Sequence, residues 1–133
     1  LNFKKEWAGF EDIHKRVWLQ MNKDFLLDTA SHYLIYGSEF INALAMQLGC
    51  RDRLKQIGIP TIFFCDIPVE DIAPMTLRDI QNVFNLGYID DIGFAVDEVL
   101  PQDIVNYEHL TRRLTDPYGG TYKPDYEKLK IYL

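Results

Sequence analysis

Phe3, Trp7, Phe10, Ile13, Val17, Trp18 and Met21 recur mostly at steps of three and four, the spacing of one heavily apolar helix face. Lys4, Lys5, Glu11, Asp12, Lys15 and Arg16 fill the other faces of that helix. From Phe25 to Tyr36 the pattern changes to an apolar run, FLLDTASHYLIY, that closes in a cluster of Ser, His and Tyr. Its density of apolar and aromatic residues predicts a first strand, which would deliver Ser31, His32, Tyr33 and Tyr36 to one end of a sheet. Ser38 then predicts the N-cap of an amphipathic helix that turns Phe40, Ile41, Leu44, Ala45 and Leu48 toward a core and stops at Gly49.

Further along, residues 51–57 suit a short helix or a continuation of the preceding one, closed by Gly58, Ile59 and Pro60. Thr61 to Cys65, TIFFC, is β-branched and aromatic between two prolines, which predicts a buried strand. A helix opens between Pro74 and Ile80, with Thr76 as its cap, Asp79 in the capping-box position, Leu77, Ile80, Val83 and Phe84 inward, and Gly87 as its end. Ile92 to Val96 predicts another strand, residues 101–105 a turn or short helical piece, and residues 118–126 a Gly/Pro/Tyr loop before a short terminal element. Helices alternating with short strands place the fold in the α+β or mixed α/β class, with central short strands and an amphipathic helix after the first of them.

Composition narrows the function. The 133 residues, 47% of them hydrophobic, suffice for one domain spanning 1–133 with a sizeable core, and a start at Leu1 leaves room for an upstream segment. A net charge of −6 and a pI near 4.9 disfavour bulk nucleic-acid binding, which needs a surplus of Lys and Arg. The absence of an apolar run of roughly 18 residues, and of a signal-peptide h-region at the N-terminus, predicts a cytoplasmic chain without membrane contact. Cys50 and Cys65 lack ligand spacing and are expected as reduced thiols, Cys65 within the core. His14, His32 and His109 are too scattered for a metal site, so none is expected.

The run from Phe25 to Tyr36 resembles the central element of the ADP-ribosyltransferase fold, in which an apolar strand passes an Asp and a Ser and leads to a Tyr on the following helix; Asp28, Ser31 and Tyr36 stand in those places. Tyr36-Gly37-Ser38-Glu39-Phe40 is similar to the helix start of the rifamycin ADP-ribosyltransferases. The strand from Thr61 with its exit at Pro68 resembles the strand that follows this helix, and the stretch around Asp90 and Asp91 resembles the late strand that carries the catalytic acid. The resemblance spans about residues 25–110. It departs from the family in two respects: the early strand with a cofactor-gripping His or Arg has no counterpart before residue 25, and the acid is Asp rather than Glu, with Glu98 further along.

The resemblance implies a small ADP-ribosyltransferase-like domain that cleaves the nicotinamide–ribose bond of NAD, its substrate, and transfers ADP-ribose to an unknown acceptor. Asp91 would stabilise the charge growing on the sugar. Tyr33 or Tyr36 would stack on the nicotinamide, Tyr36 in the place of the Tyr that lines the family's cofactor cleft and, with Asp91, a catalytic candidate, and Ser31 would bond the ribose or support the acid. Backbone N–H groups at Ser38 and Glu39 would receive pyrophosphate oxygens. Asp90 and Glu98 are the alternatives for the acid. A competing class is a non-catalytic acidic interaction domain of the immunity or antitoxin kind, with Tyr118, Tyr122, Tyr126 and Tyr132 offered to a basic protein partner.

Overall fold

The computed structural model describes residues 16–87 and 91–127. Within them the chain forms two compact units, one from residues 16–22 and 65–105, the other from 23–64 and 106–127. Helices and short strands mix in an α+β arrangement.

In the first unit, β1 (Val17–Gln20) pairs antiparallel with β3 (Gly93–Val96), in the register Val17 to Val96 through Gln20 to Gly93. Ile92, Phe94 and Val96 alternate inward and are buried, the period of two that a half-covered sheet demands. Val17 and Trp18, expected on a helix face, lie in β1 instead, and both are exposed. Pairing with the strongly strand-forming GFAV segment overrides the local three- and four-residue spacing. The rest of the expected first helix, Phe3 to Ile13, and His14 lie outside the described residues.

The same unit carries a 3-10 turn (Val69–Asp71) and the helix Pro74–Leu86. That helix starts three residues earlier than a cap at Thr76 predicts, because Ala73 is the cap and Pro74 takes the first helical position, where its missing N–H and fixed φ cost nothing. Gly87 ends it at φ +79°, donating to Val83 and Phe84 carbonyls from a left-handed conformation that a Cβ would strain. No side chain of this helix is buried: Leu77, Ile80 and Val83 are half-buried and Phe84 is exposed, against the expected inward face. A second 3-10 turn (Pro101–Asp103) follows, at the place where a turn was expected.

The second unit contains α1 (Lys23–Asp28), α2 (His32–Tyr36), α3 (Glu39–Gln47) and α4 (Arg51–Leu54); in chain order the helix Pro74–Leu86 is α5. Phe25 to Tyr36 is therefore two short helices and not a strand. The buried positions explain why: Leu27, Ala30, Ser31 and Ile35 recur at helical steps, and only that geometry takes all of them to one side. Gly37, at φ +85° and ψ −152°, breaks α2 from α3 in a conformation reserved for glycine.

α3 begins at Ser38 as expected, but its buried residues are Asn42 and Ala45, while Ile41 and Leu48 are exposed and Leu44 is half-buried. β2 (Thr61–Cys65) pairs with β4 (Ile104–His109), a strand that the expected turn at 101–105 left out. Cys65, expected in the core, is half-buried. Leu114–Thr115 (β5) and Thr121–Tyr122 (β6) form a small antiparallel hairpin, its second strand inside the stretch 118–126 expected as loop. The core of this unit joins Leu27, Ile35, Tyr36, Ile62, Leu110, Leu114 and Tyr122. Among the described residues no helix is long and apolar enough to cross a membrane.

Candidate functional site

The Ser/His/Tyr cluster divides between core and surface. Ser31 is 2% exposed and its Oγ donates to the Thr115 carbonyl at 2.6 Å, tying α2 to the hairpin. Tyr36 is 3% exposed, and its phenol donates to Asp116 Oδ2 at 2.6 Å. Lys55 Nζ donates to the same oxygen at 2.6 Å, while the Tyr118 backbone N–H donates to Oδ1 at 2.9 Å. Burial by itself would raise the Asp116 pKa, but the donors from Lys55, Tyr36 and Tyr118 outweigh it and hold the carboxyl below its ordinary value. Burial, then the Asp116 acceptor, raises the Tyr36 pKa, and the bond to Asp116 raises that of Lys55. With their polar atoms already engaged, Ser31 and Tyr36 act as internal fasteners.

The exposed members group at the start of α3. Tyr33 OH donates to Glu39 Oε1 at 2.8 Å; burial of the ring, then that bond, pushes its pKa up to about 12. Ser38 Oγ accepts from the Ile41 N–H at 3.3 Å, which makes it the cap of α3. Beside them His32, Glu39, Asn42, Ala43, Met46 and Tyr118 line a cleft of about 220 Å³. Asn42 Nδ2 donates to the Tyr118 phenol at 3.1 Å, and its buried Oδ1 has no partner among the described residues. The Arg51 guanidinium lies 4.1 Å from the Tyr118 ring centroid.

Asp91 belongs to the first unit, exposed and accepting from Gln20 Nε2 at 2.9 Å. Glu98 is exposed in that unit too, and Asp90 lies outside the described residues. Asp28 accepts from Arg112 at 2.6 Å and is held in that surface pair. The structure thus places Glu39 in the cleft wall with Tyr33 bonded to it and Ser38 as the cap of α3, and it buries Ser31 and Tyr36 in the core. His32, Asn42, Met46 and Tyr118 were not singled out as a group from the sequence. The available signal was Asn42, one polar residue inside the otherwise apolar run of α3.

Of the two thiols, Cys65 is a poor nucleophile: burial, then the charges of Asp103 and Asp66, pushes its pKa up. Among the described residues no three His, Cys, Asp or Glu side chains gather as metal ligands.

A second surface lies in the first unit. Val69, Met75, Phe84 and Leu86 are all exposed, Met75 to 75%. Within that unit's described residues, eight Asp and Glu side chains stand against Arg16 and Arg78. The chain matches no protein-family model, no curated protein and no solved structure.

Proposed function

We propose that this protein is a non-catalytic, acidic interaction domain of the immunity or antitoxin kind, whose partner is a basic protein segment with an apolar face. One observation carries the reading: α5 buries none of its side chains although Met75, Leu77, Ile80, Val83, Phe84 and Leu86 make it rich in apolar surface. Covering a Met or Phe side chain contributes about 1.5–3 kcal/mol, so a partner that lies on this helix gains what the monomer leaves exposed. Asp66, Glu70 and Asp71 precede the helix in an acid-rich unit, which favours Lys and Arg on the partner and steers its approach.

The test is fluorescence anisotropy with a labelled helical peptide carrying Lys and Arg on one face and Leu on the other. Salt-sensitive binding is expected, lost in the double variant Met75→Ser, Phe84→Ser with no fall in melting temperature. No binding up to about 100 μM peptide, some 5 kcal/mol of affinity, removes the reading.

A second reading, NAD-dependent ADP-ribosyl transfer to an unknown acceptor, is favoured by the exposed Tyr33, which bonds to the cleft-lining Glu39. Tyr33 would stack on the nicotinamide in place of the buried Tyr36. At millimolar NAD this reading requires a rise in melting temperature and release of nicotinamide, both lost in Tyr33→Ala. Without either response it is abandoned.

A further inference from the structure

In the second unit, the cleft lined by α2, α3 and Tyr118 has hydrogen-bonding capacity that no group among the described residues uses. We infer that it receives the arginine side chain of a protein partner; the inference rests on the interaction-domain reading, which supplies that side chain. The volume of about 220 Å³ lies below the range of roughly 300–1,000 Å³ typical of pockets for drug-sized ligands, and suits one side chain or one ring.

The polar lining is rich in acceptors. Asn42 is 7% exposed, with its Nδ2 committed to Tyr118 and its Oδ1 unpaired, so this carbonyl bears its loss of hydration until a donor reaches it. Glu39 accepts from Tyr33 through Oε1, and a carboxylate has lone pairs for several donors. The Tyr118 ring, the His32 imidazole and Met46 provide flat, polarisable walls. A guanidinium meets this set: it is planar, carries five N–H donors in a fork, and loses less hydration than an ammonium. Lysine offers a compact point charge that neither stacks nor forks.

Tyr118 already faces one such group. Arg51 lies over its ring at 4.1 Å and donates to Met46 Sδ at 3.8 Å. Arg51 therefore repels an incoming cation, whereas an anionic ligand would need it. The sign of the Arg51→Gln effect separates the two.

The experiment is calorimetric titration of the full chain with N-acetyl-arginine methylamide and with its lysine counterpart. The arginine probe is expected to bind saturably at about millimolar concentration and at least roughly tenfold more tightly than the lysine probe. Glu39→Gln, at an exposed position, should weaken arginine by about tenfold, and Arg51→Gln should strengthen it. Equal binding of the two probes, unchanged affinity in Glu39→Gln, or weaker binding in Arg51→Gln overturns the inference. A basic amphipathic peptide that binds while the arginine probe does not removes the cleft and leaves the interaction reading standing. Failure of that peptide removes the reading independently of the probe.

Discussion

The phenol of Tyr36 donates a 2.6 Å hydrogen bond to Asp116 across 80 residues of chain, with Asp116 only 4% exposed. A buried carboxylate is tolerable only when its lone pairs are met, and here Tyr36, Lys55 and the Tyr118 N–H meet them. This cluster fastens the β5–β6 turn to α2 and to Lys55, the residue that follows α4.

Tyr36→Phe should accordingly lower stability by about 1.5–3 kcal/mol, the range for a lost hydrogen bond to a charged group. Tyr36→Ala, which also opens a cavity, should cost about 3–5 kcal/mol. Urea unfolding measures both. A Tyr36→Phe midpoint equal to that of the unmutated protein would mean the phenol is solvated.

The pH response follows from the same cluster. Asp116 has a lowered folded pKa, so its contribution is complete above the unfolded value near 4 and is lost as pH falls through the folded value. Lys55 and Tyr36 have raised folded pKa values, so their contributions are complete below about pH 10 and are lost as pH rises through the folded values. Melting temperature should form a plateau between these limits. In Asp116→Asn the acid-side fall should shrink; an unchanged acid limb would assign it to other carboxylates.

Ser38→Ala removes the acceptor for the Ile41 N–H and should cost about 0.5–1 kcal/mol, the lower part of the N-cap range, because the bond is long at 3.3 Å. Leu44→Ala, at a half-buried site, should stay below about 2 kcal/mol, the lower bound for a fully buried leucine. A larger loss for Leu44 than this would place it in the core. Thermal and chemical denaturation of the two variants decide the order.

Random duplex DNA should not bind at physiological salt, since the net charge of −6 provides no cation surplus to release counterions. Anisotropy with a labelled duplex is the check. Micromolar, salt-sensitive binding would contradict it.

Punctuation and composition carried the local outline. Ser38 as a cap, Gly87 as a helix end, and TIFFC and GFAV as strands are each determined by a few neighbouring residues, through a side-chain acceptor, a positive φ, or β-branched and aromatic bulk. Which way an apolar run turns was decided elsewhere. FLLDTASHYLIY has enough apolar residues for either element, and burial of Leu27, Ser31 and Ile35 along one side selected helix; Val17 and Trp18 took a strand because a partner strand was there to pair. The cleft was hidden for the same reason. Glu39 and Asn42 are neighbours on one helix, but Tyr118 reaches them from a turn that Asp116 holds through Tyr36 and Lys55, and that long-range contact leaves no period in the sequence.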